Sequence, residues 1–251
     1  VITSAIYFMD FMEVEMKFYR AENYETMSKK ACSILIDCLV QKPDSLFCIA
    51  TGNSPTGSYQ LFVKEVKKRG IDTSKMRIIK LDEWCGLKKD NPATCEYYVK
   101  KHILDPLAVE DHRYISFNSM EKNSEYECDR ISSLLKKNGG IDCCILGLGR
   151  NGHLGLNEPS SELNPFIHKT ALEPKTQTHT MLTLNNQSVS EGYTLGIKDI
   201  LSSKKILMLV TGSGKKEAYK VLQRQIITPA QPANYLWLHD NTDCIVDNSC
   251  F

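Results

Sequence analysis

Residues 45–70 read SLFCIATGNSPTGSYQLFVKEVKKRG, and this stretch decides the fold. Ser45–Thr51 is β-rich and nearly all apolar, the pattern of a strand buried on both faces. Gly52-Asn-Ser-Pro-Thr-Gly57 interrupts it. Tyr59, Leu61, Phe62 and Val66 then recur at helical spacing, and Gly70 supplies a stop. Three further apolar runs end in polar or glycine-rich turns: Arg77–Leu81 before Asp82-Glu83-Trp84, Ile141–Leu148 before Gly149-Arg-Asn-Gly152-His153, and Lys205–Thr211 before Gly212-Ser-Gly-Lys215. Asn234–His239 and Cys244–Val246 read as late strands. Buried strands alternating with helices predict an α/β chain with a mostly parallel sheet and helices on both faces. Such sheets bind ligands beyond the carboxyl ends of their strands, where the polar clusters of this chain fall.

The composition fits that reading. The 251 residues carry 31 Lys+Arg against 30 Asp+Glu, a net charge of +1, with 24% charged and 42% hydrophobic residues. Such a balance excludes a general electrostatic grip on nucleic acid or an acidic membrane, but not a local cationic pocket. No internal repeat or Pro/Gly/Ser-rich linker divides the chain, which predicts one domain over residues 1–251. The ten cysteines include no C-x-x-C pair, so they suggest neither a zinc ribbon nor a thioredoxin-like motif. Most lie in apolar runs and read as small buried hydrophobes in a reducing compartment, which places the protein in the cytoplasm. The apolar N-terminal run VITSAIYFMDFMEVEM is broken by Asp10, Glu13 and Glu15 and has no basic segment before it, unlike a signal peptide. No apolar run reaches the ~18 residues of a membrane span.

Four clusters can carry chemistry. In Thr51–Ser58 the glycines let backbone approach an anion, while the hydroxyls of Thr51, Ser54, Thr56 and Ser58 and the following helix end supply donors. The loop is neither a Walker A motif nor a G-x-G-x-x-G fingerprint, and a plain strand-to-helix turn with a Ser/Thr cap is its bland alternative. Thr211–Lys216 repeats the logic with Lys215 at a helix start, where a cation costs roughly a few tenths of a kcal/mol that a bound anion offsets. Asp82 and Glu83 are adjacent on an extended segment, so only one of them faces a given site. They are therefore no metal-binding pair; the bland alternative is a solvated strand end. Gly147–Pro159 (GLGRNGHLGLNEP) surrounds His153 with glycines directly after a buried strand, with Glu158 five residues on to orient it. Histidines 102, 112, 168 and 239 read as surface or packing residues, and His179 fits either reading.

TGNSPTGSY, KLDEWCGL, GLGRNGHLGLNEP, GYTLGI and VTGSGKKEA, in this order, resemble the glucosamine-6-phosphate deaminase/isomerase family. The resemblance covers about Thr51 to Lys220. It implies a three-layer, modified Rossmann-like α/β fold, no cofactor, and a 2-amino-2-deoxyhexose 6-phosphate substrate. It makes Asp82 the base that moves a proton between C2 and C1, His153 the group that opens the pyranose ring, and Glu158 its partner. The phosphate would lie on Thr51, Gly52, Asn53, Ser54, Thr56, Gly57, Gly152 and Lys215. Some relatives form larger oligomers, so a homo-oligomer is open.

The chain departs from the pattern at two places. Asn151 stands where the glucosamine enzymes usually carry Asp, which leaves His153–Glu158 without a third charge. The segment QTHTML lacks their arginine, with Lys175 or His179 as replacements for its phosphate contact. The form NGHLGLNEP is similar to the galactosamine-6-phosphate branch. A 6-phosphogluconolactonase-like hydrolase and a non-catalytic sugar-phosphate sensor are the competing readings.

Overall fold

The structure, a computed structural model, describes residues 16–251; the N-terminal run lies outside them except for Met16. Ten strands are present among the described residues: β1 (Lys17–Ala21), β2 (Leu46–Ile49), β3 (Arg77–Lys80), β4 (Asp82–Trp84), β5 (Tyr114–Ile115), β6 (Cys143–Gly147), β7 (His168–Ala171), β8 (Glu191–Thr194), β9 (Lys205–Val210) and β10 (Thr242–Asp247). The α-helices are α1 (Tyr24–Gln41), α2 (Asn53–Arg69), α3 (Cys95–Val99), α4 (Asp105–Leu107), α5 (Ser124–Lys137), α6 (Pro174–Gln177), α7 (Thr180–Thr183), α8 (Ile197–Leu201) and α9 (Lys216–Leu222).

Seven strands form one parallel sheet in the order β1-β10-β9-β6-β2-β3-β5. Strand alternation divides its side chains between two cores. Phe47 and Ile49 of β2, Cys143 and Ile145 of β6, and Leu207 and Leu209 of β9 point to the layer of α1, α2, α3 and α4. Leu46 and Cys48, Cys144 and Leu146, and Ile206 and Met208 point the other way, to α5, α8 and α9. Each fully buried Leu, Ile or Phe contributes about 1.5–3 kcal/mol, which is why these strands read as continuous apolar runs. The expected three-layer arrangement is therefore present. Seven of the ten cysteines are buried and all ten are free thiols, with Cys48 and Cys144 on one face of the sheet and Cys143 on the other.

Chain order reverses at β2. From it the chain runs outward through β3 and β5, then returns to build β6, β9 and β10 on the other side. The gap between the carboxyl ends of β2 and β6 is thus the topological switch point. A second sheet, the antiparallel trio β4-β8-β7, stands beside it, with Asp82 opposite Thr194 and Glu83 opposite Tyr193.

Two expectations are corrected. Asn234–His239 is not a strand, because Pro232–Leu238 forms a 3₁₀ helix. Asn234 Nδ2 donates to Val221 O and Ile226 O, Trp237 Nε1 donates to Leu222 O, and Ala233 and Leu236 bury at the three-residue spacing of that helix. The β2–α2 turn also has no Ser/Thr cap: the N-cap is Gly52, at φ +102°, with no side-chain bond to the first turn. The other end behaves as read, with Gly70 in the left-handed region as the C-cap.

Candidate active site

One cavity of about 200 Å3 opens at the switch point. Its wall comes from the carboxyl ends of four parallel strands: Ala50–Ser54 after β2, Leu81 and Asp82 after β3, Gly147–Asn151 and His153 after β6, and Lys215 after β9. Trp84, Gly155, Leu156, and Lys175, Thr176, Thr178, His179 and Thr180 around α6 complete it.

Asp82 and Glu83 are separated as strand alternation requires. Asp82 lines the cavity. Glu83 points away, accepting from Lys80 Nζ at 2.6 Å and from the backbone N–H groups of Trp84, Cys95 and Glu96. The solvated strand end does not exist, since both carboxylates are buried. Lys80 is fully buried and also donates to Glu96 at 2.8 Å. Burial, and then the charge of Glu83, push Asp82 up to about 6, against the opposing pull of the Cys95 thiol, His153 and Lys80. At pH 7 it remains a carboxylate, but a stronger base than a solvated aspartate.

The ring of His153 lies on Gly149, where a Cβ would sit 2.4 Å from its Cγ and Cδ2. Its Nδ1 is 3.3 Å from Glu158 Oε2, with the Thr176 hydroxyl at 3.4 Å. Glu158 is buried and lies behind the ring, outside the cavity lining. Burial works to raise its pKa, yet the hydrogen bonds and charge of His153, with Thr176 and Asn151, outweigh it and hold Glu158 below the usual range. An ionised Glu158 fixes the proton on Nδ1 and leaves Nε2 as an acceptor. Asn151 joins this group. Its Nδ2 donates to Glu158 Oε2 at 2.9 Å, while its Oδ1 accepts from the His153 backbone N–H at 3.3 Å. The amide thus braces the carboxylate, a task a second carboxylate could not perform.

Fewer of the residues expected to hold a phosphate line the cavity than the sequence suggests. Thr51, Gly52, Asn53, Ser54 and Lys215 line the cavity; Thr56, Gly57 and Gly152 do not. The Thr56 hydroxyl bonds to Gly52 O and to Tyr98. Gly57 lies against α1, where a Cβ would meet Ser28 Oγ at 2.6 Å, and Ser58 is fully buried. Gly152, at φ +87°, makes the turn that hands its carbonyl to Ala233 N–H. Arg150, Thr176 and Trp84 are among the cavity residues given no role from the sequence. Arg150 had a signal, a cation in a glycine-rich loop at a strand's carboxyl end. Trp84 and Thr176 had none. His179 and Lys175 both reach the cavity. Histidines 102, 112, 168 and 239 lie away from it, and His239 is buried with both ring nitrogens bonded.

A Rossmann-like sheet that places a buried carboxylate of raised pKa and a carboxylate-held histidine in one cavity, beside the β2–α2 turn, Arg150 and Lys215, has the groups needed for acid–base chemistry on a small anionic ligand. The chain belongs to the glucosamine-6-phosphate isomerase/6-phosphogluconolactonase family, whose model matches residues 20–245. It is 41% identical over 228 residues to a protein named as a deaminase, AgaI, of Escherichia coli (strain K12), covering 91% of this chain and 90% of that one. It is 35% identical over 234 residues to a glucosamine-6-phosphate deaminase of Clostridium botulinum (strain Loch Maree / Type A3), covering 92% and 96%. A solved structure of a monomeric glucosamine-6-phosphate deaminase superposes with a TM-score of 0.88 at 30% identity, covering 94% of this chain and 98% of that one.

Proposed function

We propose that this chain is a deaminating aldose–ketose isomerase of 2-amino-2-deoxyhexose 6-phosphates. The observation that carries the reading is one cavity lined by Asp82, His153 and Asn151, with Glu158 behind the histidine, and also by the β2–α2 turn and Lys215. Each part has a task. His153 Nε2, an acceptor because Nδ1 is committed to Glu158, takes the proton of the anomeric hydroxyl as the pyranose opens. Asp82 then removes the C2 proton and delivers it to C1, and the C2 amino group leaves as ammonia through the ketimine and its hydrolysis. Its raised pKa, near 6, suits a base that must both accept and return a proton near neutrality. Held by that turn and Lys215, the phosphate lends binding energy to positioning the open-chain sugar.

Asp82, His153, Glu158 and Asn151 are thus the catalytic group, with Glu158 and Asn151 acting through His153. Thr51, Gly52, Asn53, Ser54 and Lys215 hold the phosphate. Galactosamine 6-phosphate giving tagatose 6-phosphate and ammonia is the favoured reaction, ahead of glucosamine 6-phosphate giving fructose 6-phosphate. Asn151 and the form NGHLGLNEP, which is similar to the galactosamine-6-phosphate branch, support that order. The test is a paired assay of ammonia and ketose phosphate from both sugars. Faster turnover of the gluco epimer overturns the order. No ammonia from either, with hydrolysis of a 6-phosphogluconolactone instead, overturns the reading.

A further inference from the structure

Asp82 is buried, and among the described residues a single hydrogen bond reaches its carboxylate: that of the Cys95 thiol, whose Sγ lies 3.5 Å from Oδ1. The same sulfur accepts from the Thr51 hydroxyl at 3.3 Å. Thr51 lines the cavity from the turn after β2, whereas Cys95, 1% exposed at the start of α3, stands behind the carboxylate and does not line it. The other oxygen of Asp82 lies toward a cavity residue: a Cβ on Gly155 would sit 3.5 Å from Oδ2. The start of α3 is itself fixed. The Cys95 and Glu96 N–H groups donate to the two oxygens of Glu83 at 3.0 and 2.8 Å, and the Thr94 hydroxyl caps the helix by accepting the Tyr97 N–H. Asp82 and Glu83, sent to opposite sides of their strand, thus both grip Cys95, one by its side chain and one by its backbone.

We propose that Cys95 is a positioning residue for the base: its thiol donates to Oδ1 of Asp82 and so leaves Oδ2 as the oxygen that takes the C2 proton. This inference rests on the deaminase reading above and deepens it. The direction of the bond follows from Thr51. With the hydroxyl proton of Thr51 on one side of the sulfur, the S–H points the other way, to Asp82. The thiol is no nucleophile. Burial, then the charges of Glu83 and Asp82, hold its pKa well above the ordinary cysteine value, so near neutral pH it stays a donor. A carboxylate tied through one oxygen no longer turns freely, and moving a proton between C2 and C1 demands one oxygen within reach of two neighbouring carbons.

The ionisable groups facing Asp82 are Glu83 beside it on β4, Lys80 on β3, His153 from the loop after β6, and the thiols of Cys95 on α3 and Cys48 on β2. A donor to the ionised form holds a carboxyl pKa down, so removing the thiol raises Asp82 above about 6 and moves the acid limb of kcat/KM up with it. The test is steady-state kinetics of the full chain from pH 5 to 9, on whichever amino-sugar 6-phosphate it turns over faster. Cys95→Ala should move the acid limb up by about half to one pH unit, since a thiol is a weak donor. It should lower kcat on the order of tenfold, because the stronger base is no longer aimed, with KM within about threefold. Calorimetric binding of a hexitol 6-phosphate, which has no carbonyl to react, should likewise stay within about threefold. Cys95→Ser keeps a donor, so it should return the limb to within about 0.3 pH unit of wild type and kcat to within about threefold.

A limb and a kcat in Cys95→Ala that match wild type overturn the proposal. So do equal losses in Cys95→Ala and Cys95→Ser, which would make the thiol a filler of space. Infrared difference spectra of the wild type carry the test if the alanine variant folds poorly. The S–H stretching band that Cys95→Ser removes should shift as pH crosses about 6, and again in Asp82→Asn; a band that stays in place overturns the bond. Ammonia release by wild type with unaffected variants refutes the positioning role alone. No ammonia from wild type refutes the deaminase reading alone, and the infrared band still decides the bond to Asp82.

Discussion

Replacing Lys80 by Met tests the platform on which Asp82 stands. Lys80 is fully buried between Glu83, 1% exposed, and Glu96, 15% exposed, with bonds of 2.6 and 2.8 Å. Methionine fills much of the same space but leaves two carboxylates without their cation. Removing one partner of a buried ion pair costs about 3–5 kcal/mol, because the remaining charge is stranded. Here the stranded groups keep neutral donors: three backbone N–H groups on Glu83, and the Tyr114 and Ser116 hydroxyls on Glu96. The loss should therefore lie at the low end, about 3 kcal/mol, or a fall in Tm of roughly 6–12 °C for a chain of this size.

The sign with pH is fixed by Glu96. Burial works to raise it, but the charge and hydrogen bond of Lys80, with Ser116 and Tyr114, win and hold it below its ordinary value. A carboxylate lowered by folding adds stability above its unfolded pKa and loses it as pH falls through the folded one. Lys80→Met removes that contribution, so its deficit should be largest at pH 7–8 and shrink toward pH 4. Lys80 also helps hold Asp82 down, so the acid limb of kcat/KM should move up from about 6. Denaturant melts at pH 5 and 7.5 and a pH–rate profile read both effects. A deficit below about 1 kcal/mol, an equal deficit at the two pH values, or an unmoved limb refutes the reasoning. If the single variant does not fold, Lys80→Met/Glu83→Gln, which strands one carboxylate instead of two, should recover much of the loss.

Four further outcomes follow from the site. Wild-type kcat/KM should fall below pH about 6 as Asp82 protonates. Asp82→Asn should lower kcat by at least about a thousandfold while hexitol 6-phosphate binding, read calorimetrically, stays within about threefold. Gly149→Ala places a methyl 2.4 Å from the His153 ring, so steady-state kinetics should show kcat reduced tenfold or more, with KM changed far less. Asn151→Asp turns the 2.9 Å bond to Glu158 into a contact between like charges. Its destabilisation, about 1.5–3 kcal/mol at pH 8, should be smaller at pH 5, where one proton can be shared; equal losses at both pH values in denaturant melts would contradict this.

How far the sequence could be read depended on which periodicity governed each residue. In β2, β6 and β9, unbroken apolar runs followed by glycine turns identified a parallel sheet, and the fold placed their carboxyl ends together without any knowledge of contacts. At Asp82 and Glu83 the two-residue period of a strand separated the pair correctly. In the β2–α2 turn no such period applies: Thr56 looks like Ser54 in sequence, but it lies one turn into α2 and its hydroxyl is turned to Tyr98 and Gly52. Asn234–His239 was misread because a short apolar run fits a strand or a 3₁₀ turn equally well until the carbonyls at the end of α9 claim its Asn and Trp donors. Lys80 was out of reach for a different reason. A lysine in RIIK carries no sign of burial, since its partners lie 3 and 16 residues away and only the close approach of β3, β4 and α3 brings them to it. The chemistry-bearing side chains were therefore legible in proportion to how locally they are held. His153, Asn151 and Glu158 fall within eight consecutive residues, and the fold brings the three side chains together as one hydrogen-bonded group. The ion cluster behind Asp82, which helps set the pKa of that carboxylate, is assembled across three elements and becomes visible only in the folded chain.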